Sequence, residues 1–454
     1  MSDSVVTNGL EVHASSRGAR GSKSSEPPRR CVDSKKASRS SAGSPIRAVL
    51  RVGQTALASP LLAVLGWGAL ACGSLEDSTH LYEPGVGDPG PRPQPFLNLP
   101  PDRSGIPAAP TLTPAAGADP QASADALASA TAQTLADAEA AGFPTLLSET
   151  GAFGNLQTLE PAPGLIPYDL LAPLWSDGAF KQRWVSLPTY GGVVTSDGGA
   201  WQFPEGTVFV KHFEMALEES QPDVRRRLET RLLVAQADGN YYGITYKWND
   251  AQTDATVVLS KEIEPLSIVD ADGSTETHDY MLPGPNDCGT CHTANAGSVL
   301  GVHTRQLNKK FTYGEGEPAV NELVAWSGWG FMDAHFDETA AILAPRLSSL
   351  TDESASLEDR VRSYWDGNCA MCHAGTTGTV KGWDARYATP LRDEGLDRVP
   401  ALANPELDAT HLIAPGHPEQ SLIYLRGNSA DPGVKMPPLG RYRIDQNYID
   451  VLGQ

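Results

Sequence analysis

Cys288-Gly-Thr-Cys291-His292 and Cys369-Ala-Met-Cys372-His373 both follow the pattern C-x-x-C-H. This pattern is the attachment signature of c-type haem. Two thiols three positions apart form thioether bonds to the two vinyl groups of one porphyrin, and the adjacent histidine supplies an axial nitrogen to the iron. The sequence therefore predicts two haem c groups, with His292 and His373 as iron ligands.

The other cysteines do not suggest a disulfide framework in the folded part of the chain. Of the six cysteines, four belong to the two motifs, and Cys31 and Cys72 fall in the N-terminal leader. Two alternatives remain open, a pair of C-x-x-C disulfides or one four-cysteine zinc site. Neither alternative needs a histidine directly after each second cysteine, whereas haem attachment does.

The net charge of the chain helps to decide between nucleic acid and protein as the binding partner. The formal net charge is -20, and residues 1–72 hold ten Lys/Arg against four Asp/Glu, so the remainder carries a net charge of -26. Such a surface argues against nucleic acid, because binding to nucleic acid relies on neutralisation of phosphates by Lys and Arg. It suits electrostatic docking to a basic redox partner, although solubility alone also explains it.

Residues 1–72 are interpreted as a leader with a signal peptide. Basic Arg47 and Arg51 precede an apolar run at 56–71, which is too short to span a membrane comfortably. The run ends in Ala69-Leu-Ala-Cys72, which resembles a bacterial lipobox with Ala in place of the usual Leu. We expect lipidation of Cys72, with ordinary cleavage after Ala71 as the alternative. Both place the protein in the periplasm or cell envelope, and membrane attachment would be by the lipid anchor only.

A Pro- and Ala-rich linker, predicted to be disordered, is assigned to 73–141, and a β-rich domain to 142–285. Strand-like runs at 207–213, 230–235 and 241–248 are punctuated by turn residues, and Asp238-Gly239 between two of them indicates a hairpin. Short strands of this kind favour a sandwich-like or small-barrel domain. No phosphate-binding loop, dinucleotide fingerprint, nucleophile elbow or zinc-protease helix occurs in this region.

Residues 356–454 are predicted to form a mainly α-helical domain like a class I cytochrome c. Apolar residues at helical spacing from Leu357 follow Ser356, a plausible N-cap, and lead into the second motif. Met436-Pro-Pro follows, and a last helix is expected to begin near Asp445. In this order of elements Met436 is the expected sixth ligand of the second iron, and a buried core methionine is the alternative.

Residues 286–355, the first haem region, lack a Met-Pro-Pro sequence. His303 follows the first motif closely and is the predicted sixth ligand, while Met281, Met332 and His335 remain candidates, as does an open iron. The expected fold class is α+β, a β-rich domain followed by a mainly helical region with two haem c motifs.

Beyond the motifs, the chain resembles a group of bacterial di-haem c-type cytochromes over roughly residues 145–454. The resemblance rests on the following stretches: Leu170-Leu-Ala-Pro-Leu-Trp-Ser-Asp-Gly-Ala-Phe-Lys181, Tyr246-Lys-Trp-Asn-Asp-Ala-Gln-Thr253, the first motif with Thr304-Arg-Gln-Leu-Asn308, and the second motif with Met436-Pro-Pro438. Some members of that group are encoded beside a parallel β-helix protein. The C-terminal part also resembles cytochrome c modules attached to quinone-dependent sugar dehydrogenases. The resemblance implies electron transfer, with a protein of either kind as redox partner.

The predicted function is therefore electron transfer by an exported di-haem cytochrome c in the bacterial cell envelope. Two alternatives stay open. One is a di-haem peroxidase-like enzyme, and the other is a carbohydrate- or partner-binding module for which the haems provide the electron outlet. The tryptophans Trp175, Trp184, Trp201 and Trp248 could line a sugar site, although core packing is the simpler interpretation.

Overall fold

The computed structural model describes residues 136, 138–140, 144–188, 192–196, 199–378, 380, 382–398 and 407–454. The predicted signal peptide, Cys31, Cys72 and nearly all of the predicted linker lie outside the described residues. Within the described residues, no helix is long and apolar enough to cross a membrane.

The fold mixes α and β structure around one antiparallel sheet, which confirms the coarse α+β prediction. The strands are β1 (Phe153–Asn155), β2 (Glu160–Pro161), β3 (Ile166–Pro167), β4 (Phe180–Ser186), β5 (Val208–Ala216), β6 (Arg225–Ala235), β7 (Tyr241–Trp248), β8 (Ala255–Val258), β9 (Glu262–Val269), β10 (Thr275–Leu282), β11 (Lys310–Phe311) and β12 (Val320–Asn321). Six of them form the main sheet in the order β3-β4-β5-β6-β7-β8. In the part of the chain that the structure describes, β3 and β8 are its edges, so the sheet is open rather than closed into a barrel.

The hairpin expected at Asp238-Gly239 joins β6 to β7, which pair antiparallel from Glu229↔Lys247 to Ala235↔Tyr241. Gly239 has φ 77°, in the left-handed region that favours glycine. The Asp238 carboxylate accepts a hydrogen bond from the backbone N–H of Asn240 at 2.9 Å. The residues of the turn therefore determine its conformation, and the local sequence was sufficient to predict this hairpin.

The two faces of the sheet are covered by different parts of the chain. On one face Trp184, Val210, Leu232 and Ile244 are cross-strand neighbours. This face, the tryptophan face, is covered by the segment 147–165. The side chains of Trp184, Trp201 and Trp248 are buried in hydrophobic clusters. They therefore pack the core and do not form an exposed surface on which a sugar could bind.

On the opposite face Val185, Phe209, Leu233 and Gly243 lie side by side. Because the first C-x-x-C-H motif packs here, we call it the motif face. One end of it shares a hydrophobic cluster with residues of 299–332, and the other end packs against the hairpin of β9 and β10. The β-rich region and the region of the first motif therefore share a hydrophobic core.

Residues 136 and 138–140 are helical, and the helices whose bounds are described are α1 (Pro285–Cys291), α2 (Thr304–Leu307), α3 (Glu322–Gly328), α4 (Glu338–Leu343), α5 (Leu357–Asn368), α6 (Leu422–Gly427) and α7 (Gln446–Gly453). Single 3₁₀ turns lie at Leu147–Thr150, Ala294–Ala296, Leu391–Asp393 and Pro418–Gln420. As expected, Ser356 caps α5, and its side chain accepts from the N–H of Asp359. The last helix likewise begins after Asp445, which caps it.

The region 356–454 is less helical than predicted, since α5, α6 and α7 cover only a minor part of it. Proline lacks the N–H that a helix interior needs, and Pro415, Pro418, Pro437 and Pro438 keep the intervening chain irregular. The helices that do form pack closely. The Trp365 indole on α5 donates to the Tyr448 hydroxyl on α7 at 2.9 Å, and Tyr364 stacks on Tyr448 with ring centroids 4.1 Å apart.

Helix α5 approaches the segment after β3 so closely that only glycine fits at the contact. A Cβ at Gly367 would lie 2.1 Å from the carbonyl oxygen of Ala172. We expect Gly367→Ala to lower the free energy of unfolding by about 1–3 kcal/mol, because backbone atoms must shift to admit the methyl group. Urea unfolding followed by tryptophan fluorescence measures this change.

The matched control is Gly328→Ala in α3, where a Cβ would meet nothing within 4 Å. This variant should remain within about 1 kcal/mol of wild type, since alanine is the better helix former. Equal unfolding free energies for the two variants would contradict the close approach at Gly367.

Candidate cofactor-attachment site

The first motif is built on the short helix α1 and the residue that follows it. Pro285 occupies the first turn, where its missing N–H costs nothing, and the helix ends at His292, whose N–H donates to the Cys288 carbonyl at 3.0 Å. Residues three positions apart lie on one side of a helix. Cys288 and Cys291 therefore present their thiols in the same direction, one turn apart.

Helix α1 rests on the motif face at a position that carries no side chain. A Cβ at Gly243 in β7 would lie 2.6 Å from Sγ of Cys288 and 2.7 Å from its Cβ. Gly243 therefore provides the space that Cys288 occupies. The consequence is that the first motif is held against the rigid central sheet and not on a free loop.

His292 has the geometry of a histidine prepared to bind a metal. Its Nδ1 is 2.7 Å from the carbonyl oxygen of Ser298, which makes Nδ1–H the donor and leaves Nε2 with a lone pair. Among the described residues no group is hydrogen-bonded to Nε2. Burial lowers the pKa of His292 to about 4, against the raising effect of the Ser298 carbonyl, and the positive charges of Lys211 and Arg231 lower it further. The ring is therefore neutral at neutral pH, as a ligand must be.

The second motif follows α5 directly. The Cys369 N–H donates to the Trp365 carbonyl at 2.7 Å, and the His373 N–H donates to the Cys369 carbonyl at 2.9 Å, so the turn of the helix is continued through the motif. The His373 ring lies 4.9 Å from the Trp383 ring. Burial lowers the pKa of His373, and its buried Nδ1 has no hydrogen-bond partner in the structure.

Arg426 connects the second motif with the loop that carries Met436. The guanidinium is near enough to His373 for its charge to lower the pKa of that histidine. Its Nε donates to the Val434 carbonyl at 2.8 Å, and its own carbonyl accepts the Met436 N–H at 3.0 Å. The half-buried Met436 and the half-buried His373 are thus brought into the neighbourhood of one side chain.

The two motifs, distant in sequence, meet in space. Burial raises the pKa of Cys291, and the negative charge of a Cys372 thiolate raises it further. Burial also raises the pKa of Cys288 to about 11 and that of Cys369 to about 12. All four cysteines nevertheless keep intermediate exposure and are free thiols. The four cysteines are therefore largely surrounded by protein but still reached by solvent, and Cys291 lies near Cys372; we call the region between the two motifs the recess.

His303, the sequence-predicted sixth ligand of the first iron, is engaged elsewhere. Its Nε2 lies 3.3 Å from a carboxylate oxygen of Asp366 on α5. Of the other candidates, Met332 is buried in the hydrophobic cluster of the motif face, and Nδ1 of His335 lies 3.5 Å from the Ser327 hydroxyl. Met281 is buried in β10. The sixth ligand of the first iron stays a prediction.

A row of cations on the motif face escaped the sequence analysis. Four residues are cross-strand neighbours on β4, β5, β6 and β7, namely Arg183, Lys211, Arg231 and Thr245. On β7 this row is two residues from Gly243 and on the same face of the sheet. We call these four residues the cationic row. The available signal was a cation in each of three strands, Arg183 in β4, Lys211 in β5 and Arg231 in β6, but other charged residues in the same strands obscure it. The strand register that aligns the three cations cannot be obtained from local sequence.

Two of the three cations are paired and the third is not. Arg183 lies 3.0 Å from Asp169, and Arg231 contacts Glu229, which also accepts a hydrogen bond from the Tyr280 hydroxyl at 2.7 Å. Lys211 has no carboxylate partner among the described residues. Burial lowers its pKa well below the usual value, and the charges of Arg183, Lys181 and Arg231 add to this effect. Its Nζ lies over the Phe213 ring, 4.9 Å from the ring centroid, and the lowered pKa favours the neutral amine over the ammonium ion.

Alternative uses of the four cysteines find less support in the geometry. Where the structure describes the chain, no group of three or more His, Cys, Asp or Glu side chains is arranged to hold a metal ion. A four-cysteine zinc site would need such a group. Comparison with known proteins adds nothing to this, since no family model, curated protein or solved structure matches the chain.

The contact between Cys288 and the sheet generates a prediction for Gly243→Ala. The added Cβ would overlap the cysteine side chain, so α1 must move off the motif face. We expect the variant to lose about 1–3 kcal/mol of unfolding free energy and to expose the first motif. Alkylation of protein prepared without haem would show faster labelling of Cys288.

Gly154→Ala in β1 is the control, since a Cβ there would make only an ordinary contact at 3.9 Å with the Glu160 carbonyl. Its stability and its alkylation rate should match those of wild type. Wild-type labelling of Cys288 in Gly243→Ala would show that the glycine is not what seats the helix.

Proposed function

We propose that the protein is an exported di-haem c-type cytochrome that transfers electrons in the bacterial cell envelope. The observation that carries the proposal is the duplicated C-x-x-C-H motif, with Cys291 of one copy near Cys372 of the other. His292 supports it further, because its buried neutral ring has Nδ1 tied to a carbonyl and Nε2 available.

The residues divide into two attachment sets. Cys288 and Cys291 would form the thioether bonds of the first haem, with His292 as axial ligand. Cys369 and Cys372 would do the same for the second, with His373 as axial ligand. When bound, each haem supplies a one-electron Fe(III)/Fe(II) couple.

Met436 is proposed as the sixth ligand of the second iron, in an arrangement like that of a class I cytochrome c. Its thioether sulfur is soft and favours ferrous iron, which raises the reduction potential. Arg426 supports this role, because it fastens the Met436 loop and also lies near His373.

The closeness of the two motifs suits electron transfer between the two proposed haems. Cys291 and Cys372 belong to different motifs and are close enough for their charges to interact. The sheet and α5 would hold the two haems at a fixed separation, so that an electron entering at one iron could leave from the other.

Export, location and partners belong to the same proposal. The leader and signal peptide within 1–72 and lipidation of Cys72 would place the protein in the periplasm or cell envelope on a lipid anchor, with the segment 73–141 as its tether. The acidic surface would attract a basic redox partner. The family resemblance suggests a β-helix protein or a quinone-dependent dehydrogenase in that role.

A di-haem peroxidase-like activity is the second candidate, and one observation favours it. His303 is paired with Asp366, so the first iron would lack its predicted sixth ligand in this conformation. An open iron could bind peroxide or another small oxidant. The carbohydrate-binding alternative has no comparable support, because Trp184, Trp201 and Trp248 are buried in the core.

Haem attachment is tested by the intact mass of protein exported from a host with haem c maturation. We expect the processed chain plus two haems, retained through acid-acetone extraction. The Cys288→Ala/Cys291→Ala and Cys369→Ala/Cys372→Ala variants should each retain one haem. Bound zinc, or wild-type protein without covalent haem, would refute the proposal.

The assignment of Met436 is tested by Met436→His. The second haem should stay six-coordinate but have a lower potential, because imidazole favours ferric iron more than a thioether does. Spectroelectrochemistry follows the potential, and the ferric sulfur-to-iron charge-transfer band should disappear. The measurement uses the Cys288→Ala/Cys291→Ala background, so a band that survives there would show that Met436 is not the ligand.

Carbon monoxide distinguishes a carrier from an enzyme. If both irons are six-coordinate, the reduced protein should bind carbon monoxide slowly and should not reduce peroxide. If His303 is the closing ligand, rapid binding at one haem should appear in His303→Ala and not in His335→Ala. Rapid stoichiometric binding in wild type, together with peroxide turnover, would favour the peroxidase-like function.

A further inference from the structure

The central feature of the recess not yet assigned a role is the cationic row. Its members come from four neighbouring strands, and their side chains project from the same face as Gly243. Rows of like charge across a sheet repel one another, and burial in a covered face increases the cost. Such an arrangement is retained in a folded protein when an anion compensates it.

The anions that the chain itself supplies do not suffice. Asp169 is shared between Arg183 and Lys309, at 3.0 and 2.6 Å, and Glu229 is paired with Arg231. Lys181 also lies near Lys211 and donates to the Leu174 carbonyl at 2.8 Å instead of to a carboxylate. Among the described residues Lys211 therefore has no carboxylate partner, and its Nζ contacts only the Phe213 ring, at 4.9 Å from the centroid, a ring it shares with Arg231 at 4.5 Å. This is notable in a chain whose net charge is -20.

Thr245 provides an independent sign of a missing polar partner. The residue is fully buried, and its hydroxyl oxygen has no hydrogen-bond partner in the structure. It lies next to Arg231 in the row. Buried hydroxyl groups without a partner are rare because the lost hydration is not repaid. An oxygen-bearing group in the recess would satisfy it.

The location decides which anion is in question. The row borders the first attachment set, because Thr245 lies two residues from Gly243 on the same face of β7, and a Cβ at Gly243 would lie 2.6 Å from Sγ of Cys288. The Arg231 side chain is 29% exposed, so part of it is reached by solvent. Each haem carries two propionate carboxylates, and these are the anions that would enter here.

We infer that Lys211 and Arg231, with the Thr245 hydroxyl beside them, bind a propionate carboxylate of a haem held in this recess. The inference rests on the proposed function and deepens it by giving the β-rich domain a role in holding the cofactor. Arg231 would offer an N–H that Glu229 does not use, Lys211 would neutralise the carboxylate, and Thr245 would donate its O–H. Both the first and the second haem qualify as the source of the propionate.

The test is Lys211→Met in the holoprotein, where methionine keeps the length of the side chain and removes its charge. We expect two haems by intact mass, as in wild type. The propionate bending mode in the resonance Raman spectrum should shift. The potential of one haem should fall while the other is unchanged, because a less neutralised propionate favours ferric iron. The same substitution in the two single-haem backgrounds identifies which haem supplies the propionate.

Lys247→Met is the matched control. Lys247 lies two residues from Thr245 on β7, but its charge is already compensated by Glu262 and Glu264 at 3.1 and 3.3 Å. Neither the potentials nor the Raman mode should change in this variant. If Lys211→Met fails to fold, Lys211→Arg should keep the wild-type mode and potential, and Thr245→Val should shift the mode alone.

Three outcomes separate the possibilities. Two attached haems with unchanged potentials and an unchanged mode in both Lys211→Met and Thr245→Val would overturn the propionate site and leave the proposed function intact. Conversion of one ferric haem to high spin in Lys211→Met would assign Lys211 to the iron and also overturn it. Absence of covalent haem from wild-type protein would instead refute the proposed function itself.

Discussion

The contact between Cys288 and Gly243 is the constraint on which the arrangement of the site depends. Strand β7 is paired on both sides in the six-stranded sheet, with β6 and with β8. A side chain at position 243 would displace the cysteine, so the glycine lets α1 lie directly on the sheet. From this placement follow the position of the first motif beside the cationic row and the proximity of Cys291 to the second motif. In the proposed function, such a rigid support would keep the first haem at a fixed distance from the second.

Polar and charged groups are distributed in a way that composition alone conceals. The chain is strongly acidic overall, yet Arg183, Lys211 and Arg231 are gathered in one recess. An acidic exterior favours encounter with a basic partner, while interior cations favour retention of an acidic cofactor. The two tendencies act at different places and do not conflict. In the proposed function the exterior governs association and the interior governs the haem environment.

Local signals in the sequence were reliable where the local chain determines the structure. Asp238-Gly239 predicted its hairpin because the turn needs a residue at positive φ, and Ser356 predicted the start of α5 because its side chain caps the helix. The cationic row depends on the register of four strands and could not be predicted. The helical content of 356–454 was overestimated, since prolines between α5 and α7 prevent continuous helix. The hydrophobic core that joins the β-rich region to residues 299–332 also depends on long-range packing.

The central claim is that the two C-x-x-C-H motifs hold two haems in one recess. Electron paramagnetic resonance during a potentiometric titration tests it most directly, because neighbouring ferric centres alter each other's relaxation. The account predicts that the signal of the haem that is reduced second changes its relaxation or line shape when the other haem becomes diamagnetic. The fully oxidised spectrum should therefore differ from the sum of the spectra of the two single-haem variants. A fully oxidised spectrum equal to that sum, with relaxation unchanged through the titration, would contradict the shared recess.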